Sequence, residues 1–262
     1  MSDELKGRTA LVTGASSGMG IDFARELARR GANLVLVARR RDALEAVSKE
    51  LRNSHAVEVR VRPADLSDAP SRERLYRELE AEGSNVDMLL NNAGFGLFGR
   101  FVESDWERVN QMLQVDMVAL SHLTRLFAPG MIRRRWGRIL LIASTGAFQP
   151  SPTYASYSAA KSYVLSLGVA LNYELRATGV SCTVACPGVT ATEFFQVSGQ
   201  RQTLYQRITI MPSTKVANLA LKGLFAQRPL VVIGRLNALM AWSTRFLPRT
   251  WSAALAYHLM KN

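Results

Sequence analysis

The sequence predicts a doubly wound α/β domain: one parallel sheet of seven strands with helices on both faces. Three observations predict it. Short apolar runs alternate with longer amphipathic segments along most of the chain. The runs are continuous in Val, Leu and Ile rather than alternating with polar residues, as strands covered on both faces require. The 262 residues are 48% apolar, enough for one large core.

The elements follow in order. TALVT (9–13) is a strand that runs straight into TGASSGMG (13–20), and IDFARELARRGA after it has helical spacing. LVLVA (34–38) and VEVRV (57–61) are the next strands, and SRERLYRELEAEG is a second clear amphipathic helix. VDMLLN (86–91), RILLIA (138–143), VSCTVAC (180–186) and LVVIG (230–234) complete the set. Strands alternating with helices build right-handed βαβ units. Residues 1–235 are expected to form the domain. Residues 236–262 are expected to be a basic amphipathic extension of two short helices parted by Pro248.

Composition narrows the classes. The start, MSDELKGRTALVTG, is too acidic for a secretory signal, and no run reaches the ~18–20 apolar residues of a spanning helix. Cys182 and Cys186 lie in an apolar run without metal spacing and are expected to be buried thiols of a reducing compartment, pointing to a cytoplasmic protein. His55, His122 and His258 are scattered. All 21 acids precede residue 196, whereas residues 196–262 hold nine Lys or Arg and no acid. A basic end attracts anionic partners. No nucleic-acid motif accompanies it, so nucleic acid is not expected.

The first glycine turn carries Gly14, Gly18 and Gly20, with Ser16, Ser17 and Met19 between and beside them. Small residues there let the backbone approach a pyrophosphate at a helix N-terminus, although such a turn can also be structural. The second strand ends in LVLVARRRDAL. Where an NAD site places an acid for the ribose 2′-hydroxyl, this chain has Ala38 followed by Arg39, Arg40 and Arg41. A guanidinium suits a 2′-phosphate, and positive charge is unfavourable at a helix start unless a ligand anion offsets it. NADP(H) is the expected cofactor, with Arg39 first and Arg40 beside it. Asp65 and Leu66 are placed to flank an adenine ring, and NNAGFG (91–96), with Asn92, Ala93 and Gly94, ends the fourth strand at the ligand-binding edge.

Tyr157 and Lys161, in YASYSAAKSY (154–163), are four residues apart on one helix face. A lysine there can stabilise a phenolate and lower the tyrosine pKa from about 10, which fits a general acid/base. Tyr154 is two turns from Lys161, and Tyr163 points elsewhere. Ser144 ends the fifth strand, and such a serine can reach the same sheet edge and bond a carbonyl oxygen.

Taken together, TGASSGMG, Asp65-Leu66, NNAG, Ser144, Tyr157-SAA-Lys161 and PGVTAT (187–192) resemble the short-chain dehydrogenase/reductase family over about residues 7–235. The resemblance is to the NADP-dependent branch acting on apolar ketones or acyl groups, and it implies a Rossmann fold. It implies that Tyr157 is the acid in reduction and the base in oxidation, that Ser144 orients the carbonyl, and that Lys161 bonds the nicotinamide ribose. Pro187, Gly188, Val189, Thr190 and Thr192 would seat the nicotinamide and pyrophosphate. It also implies a homodimer or homotetramer.

One position departs from the family pattern. The asparagine expected in the helix after NNAG is Asp116 here. Its main-chain carbonyl can still hold a relay water, or its carboxylate can pair with Lys161 and raise the tyrosine pKa again; both alternatives stand. A non-catalytic NADP-binding or membrane-surface protein of the same fold is the rival reading.

On the substrate side, a lid is expected over about 190–212. Phe194, Phe195, Leu204 and Tyr205, with Leu97, Phe98 and Phe148, are candidates for an apolar pocket. In the tail, Leu239, Trp242 and Phe246 share a face near Arg245 and Arg249. That face fits peripheral membrane contact, and equally a cover over the substrate end or a subunit interface.

Overall fold

The computed structural model describes residues 4–192, 198–200, 203 and 209–260. Its elements are β1 (Thr9–Thr13), α1 (Gly18–Arg29), β2 (Asn33–Ala38), α2 (Arg41–Ser54), β3 (Val59–Pro63), α3 (Ala69–Ala81), β4 (Met88–Asn91), α4 (Trp106–Leu113) and α5 (Leu120–Arg133). They continue as β5 (Gly137–Ile142), α6 (Ala155–Glu174), β6 (Val180–Cys186), β7 (Thr190–Ala191), β8 (Met211–Pro212), α7 (Ser213–Phe225), β9 (Leu230–Val232), α8 (Arg235–Ser243) and α9 (Arg249–Met260).

Seven strands form one sheet in the order β3-β2-β1-β4-β5-β6-β9, and every neighbour pair is parallel. The chain winds outward from β1 to β3, then returns to β4 on the other side of β1. Strand order therefore reverses between β1 and β4, and the crevice beyond their carboxyl ends is where such sheets bind ligands.

Successive strand residues point to opposite faces, and both faces are apolar. Val12, Leu36, Leu90 and Leu140 pack with Phe23 and Leu27 of α1, Leu44 of α2 and Leu221 of α7. Leu11, Val35, Leu89 and Leu141 pack with Leu75 and Leu79 of α3, Phe127 of α5 and Val164 of α6. This double cover explains why the central strands lack polar alternation, whereas the edge strand β3, VRVRP, alternates with arginine and is mostly half-buried. Fully burying one such side chain contributes about 1.5–3 kcal/mol.

Three details differ from the sequence reading. The third strand is 59–63 rather than 57–61, because Val57 N–H turns back to the His55 carbonyl and Leu34 pairs with Val59. A small parallel ladder, β7 with β8, joins the two ends of the segment 192–210. Between α4 and α5, Gln114–Ala119 forms a π-helical stretch. Such insertions widen one turn and re-aim a side chain, and this one carries Asp116.

Candidate active site

The glycine turn after β1 is held by contacts that only small residues permit. Gly14 has φ +67°, and a Cβ on Gly20 would lie 2.1 Å from the Gly14 carbonyl oxygen. Thr13, passed over in the sequence reading, organises this corner. Its hydroxyl accepts from the N–H groups of Asn92 and Ala93, each at 2.9 Å, and donates to the Leu90 carbonyl. The Asn92 amide donates to the Thr13 carbonyl at 2.9 Å. The two asparagines thus divide their work: Asn92 locks the turns after β1 and β4 together, while Asn91 is buried and donates to Leu120 O and Thr124 Oγ1. The signal for Thr13 was its place as the last residue of a strand before a glycine turn.

The corner fits a dinucleotide phosphate. Ser17 caps α1 without a side-chain hydrogen bond, and the first turn holds no acid, so N–H groups of Gly18, Met19 and Gly20 face the crevice end of the helix. Arg40 reaches across to this turn, 3.2 Å from the Ser16 carbonyl. Arg39 is exposed on the Asp65 side. Arg40, placed after Arg39 in the sequence reading, is the arginine that touches the glycine turn.

Asp65 accepts from Ser67 N–H and Oγ at 2.9 and 2.7 Å. Burial pushes its carboxyl up, but the Ser67 bonds and Arg39 more than offset this, and it ends below its ordinary value. Leu66 does not present an open flank. It is 5% exposed and belongs to the core, and its carbonyl is bound by buried Arg72 at 2.6 Å. Arg72 was also missed; one of three arginines in an amphipathic helix gives no sign of burial.

At the other edge, Ser144 starts a short turn and its Oγ accepts from Gly146 N–H at 3.1 Å. Tyr157 stands in the first turn of α6, half-buried and hydrogen-bonded to Ser144. Lys161, one turn on, is 5% exposed. Its Nζ donates to the Ile142 carbonyl at 3.1 Å and lies 5.6 Å from the Tyr157 ring centre.

Lys161 has a second partner. Its Nζ is 2.9 Å from Asp116 Oδ2, a contact ion pair poorly aligned as a hydrogen bond, with the Asp116 side chain wholly buried. Asp116 Oδ1 accepts from Phe95 N–H at 3.0 Å. The carboxylate pairing with Lys161, one of the two alternatives for Asp116, is present. Burial raises the Asp116 carboxyl above its ordinary value against the pull of Lys161. Burial alone would lower Lys161, but Asp116 and Tyr157 carry it above its ordinary value. The Tyr157 phenol is raised, first by burial, with Lys161 opposing and Asp116 adding to the rise. Lys161 does pull the Tyr157 pKa down as expected, but burial, with Asp116 adding to it, outweighs that pull and the phenol ends above its ordinary value.

These groups open on one cleft of about 150 Å³. Met19, Asn92 and Gly94 line it toward the glycine turn, Ser144, Tyr157 and Lys161 at its centre, and Pro187, Gly188, Val189, Thr190 and Thr192 along the far wall. Phe95 and Tyr154 contribute aromatic surface that the sequence reading did not assign. Tyr154 is 4% exposed, donates to Gln200 Oε1 at 2.8 Å, and burial pushes its phenol up to about 12. It serves the wall rather than proton transfer.

The expected pocket residues fare differently. Phe148 packs on the core and lines a separate groove with Pro150 and Arg249, so it is removed from the cleft wall. Phe98 sits behind Tyr154, ring centres 5.5 Å apart, and Leu97 is half-buried outside the lining. Phe194, Phe195, Leu204 and Tyr205, and most of the expected lid, lie outside the described residues. No cluster of metal-binding side chains occurs among the described residues.

Comparison with known proteins agrees with this geometry. The short chain dehydrogenase family matches residues 8–203. A D-beta-hydroxybutyrate dehydrogenase of Cupriavidus necator is 33% identical over 73% of this chain and 74% of its own length. A very-long-chain 3-oxoacyl-CoA reductase of Pyrenophora tritici-repentis is 32% identical over 67% of this chain, and the match spans 52% of that longer protein. Among solved structures, a Sphingobium yanoikuyae short-chain dehydrogenase in complex with NADPH superposes with TM-score 0.82 at 31% identity, covering 91% of this chain and 94% of that one. A Burkholderia phymatum short chain dehydrogenase/reductase in complex with NAD also superposes with TM-score 0.82, at 27% identity, covering 91% and 93%. The fold, the sheet-edge cleft and these likenesses agree, and the chain belongs to the short-chain dehydrogenase/reductase family.

Proposed function

We propose that this protein is an NADP(H)-dependent oxidoreductase interconverting a carbonyl, an apolar ketone or acyl group, and a secondary alcohol. The observation that carries the reading is Tyr157 hydrogen-bonded to Ser144, beside Lys161, in a cleft continuous with the glycine turn. The bound dinucleotide would supply or accept the hydride. The chain's own residues do the rest. Ser144 Oγ orients the substrate oxygen, and Tyr157 donates its proton to that oxygen in reduction and accepts it in oxidation. Lys161, anchored on Ile142 O, fixes the ribose side of the site.

Arg40 beside Ser16 supports NADP(H) over NAD(H), because it places a guanidinium next to the adenosine end of the turn. A fluorescence titration with NADPH and separately NADH tests this, followed by a panel of apolar ketones. Tighter NADPH binding is the expected result; preference for NADH overturns the Arg40 assignment, and binding of neither overturns the reading.

Two contacts accompany it. The exposed apolar residues Val118 and Ile132 on one helical run and Tyr163, Val169 and Tyr173 on α6 support a homodimer or homotetramer built on that face. A cytoplasmic protein resting peripherally on anionic membrane through residues 236–260 is supported by a different face. Leu236, Leu239, Trp242, Phe246 and Trp251 are all more than half exposed there, among exposed Arg235, Arg245 and Arg249. No helix among the described residues is long and apolar enough to cross a membrane. Co-sedimentation with vesicles containing anionic lipid, lost on removal of 236–262 or at high salt, checks the contact.

A further inference from the structure

We propose that Asp116 is a positioning residue that claims the charge of Lys161, keeps Tyr157 protonated well into alkaline pH, and so widens the pH range in which the site reduces carbonyls. The proposal rests on the catalytic reading above and extends it to the control of its proton.

The argument is a count of buried charge. Around Tyr157 stand Lys161 on its own helix, Asp116 from the π-helical stretch, Ser144 after β5, Cys186 at the end of β6, and Tyr154 one turn back on α6. Cys186 is fully buried and its thiol is pushed up to about 12, so it stays neutral. That leaves one cation and one anion already in contact at 2.9 Å. Ionising Tyr157 would add a second anion to a single cation in a poorly solvated place, which is costly. With an uncharged amide at position 116, the same phenolate would instead complete a neutral pair with Lys161.

Asp116 is built to remain there. Its side chain is wholly buried, Phe95 N–H holds Oδ1, and Lys161 is held in turn by Ile142 O. The geometry ties the ammonium to two oxygens, Asp116 Oδ2 and Ile142 O.

The chemical step balances with no added reagent beyond the dinucleotide. In reduction, hydride adds to the carbonyl carbon, the C=O π pair moves to oxygen, and that oxygen takes the Tyr157 proton. Tyr157 then recovers a proton from solvent. Oxidation is the reverse and needs the phenolate first. Each direction reports the Tyr157 midpoint of its own cofactor complex: reduction holds steady up to it, and oxidation climbs with pH until it is reached.

The test is tyrosine ionisation followed by NMR of protein labelled with 13C at the tyrosine ζ position, assigned with Tyr157→Phe. Wild type is compared with Asp116→Asn, which preserves shape. We expect Tyr157 to stay un-ionised in wild type past the ordinary tyrosine value of about 10, and its midpoint to fall by about one pH unit or more in Asp116→Asn. The alkaline fall of kcat/KM for reduction should move with it. A wild-type midpoint at or below about 10, or equal midpoints in the two proteins, overturns the proposal. Where Asp116→Asn does not fold, a wild-type midpoint at or below about 10 still overturns the proposal. A midpoint that moves in a protein reducing no carbonyl retains the hold of Asp116 on Tyr157 and removes the catalytic reading instead.

Discussion

The floor of the cleft and the C-terminal helices invert the usual rule of polarity in opposite ways. In the floor, Asp116, Lys161, Asn91 and Thr13 are polar and almost wholly buried. In α8, the short turn after it and α9, Leu239, Trp242, Phe246 and Trp251 are large, apolar and 54–69% exposed. Either inversion is unfavourable by itself. The floor is compensated within the chain by an ion pair and by bonds to Phe95, Ile142, Leu120 and Leu90. In the tail, these side chains stay mostly exposed, and Trp242 meets Phe246 at 4.7 Å. Buried polarity with internal partners is suited to chemistry, whereas exposed apolar surface is suited to contact.

Breaking the internal compensation should have the largest effect. Lys161→Met leaves the Asp116 carboxyl buried without its cation and should cost about 3–5 kcal/mol of stability at neutral pH. The deficit should shrink as pH falls and Asp116 takes up a proton, which urea unfolding at several pH values would follow. A loss below 1 kcal/mol would mean that the pair contributes little.

Alkali probes the same interior more gradually. Cys182 and Cys186 are pushed up to about 12 by burial, so from about pH 9 the unfolded chain releases protons that the folded chain keeps. Stability should be constant below that pH and fall above it, by up to about 1.4 kcal/mol per thiol per pH unit. Thermal melts of wild type and Cys182→Ala from pH 8 to 11 would check the slope; a flat profile would contradict it.

Between the two regions lies Arg40, exposed yet tied to the glycine turn. Arg40→Ala should weaken NADPH binding by about tenfold or more while leaving NADH nearly unchanged. Equal weakening of both would assign Arg40 to the turn's structure instead. The smallest effect on chemistry belongs to the tail. Trp242→Ser with Trp251→Ser should leave turnover of a water-soluble substrate within about twofold and lower anionic-vesicle binding several-fold. Unchanged vesicle binding would count against membrane contact and leave the subunit-interface reading.

Most of the fold could be read from the sequence because seven runs of Val, Leu and Ile are buried on both faces, and that pattern survives without any knowledge of partners. β3 slipped by two residues because its boundary is set by a turn at His55 and by pairing with β2, neither of which is local. The same distinction governs the site. Tyr157 and Lys161 were legible from helical spacing, and Ser144 from its strand end. What Lys161 touches was not legible: a one-turn widening at Gln114–Ala119 aims Asp116 at it, and no residue pattern announces a π-helical turn. Arg40 was ranked after Arg39 because three consecutive arginines look alike until the helix start orients each. Thr13 and Arg72 act through backbone groups distant in sequence, where a sequence gives least warning.

The most direct test of the account is a single-turnover reaction, NADPH-bound enzyme mixed with an apolar ketone and followed by loss of reduced-nicotinamide absorbance, for wild type and Tyr157→Phe. The account predicts turnover by wild type and a loss of about 10²–10⁴-fold in Tyr157→Phe, with NADPH affinity within about twofold. Equal rates in the two proteins would contradict it.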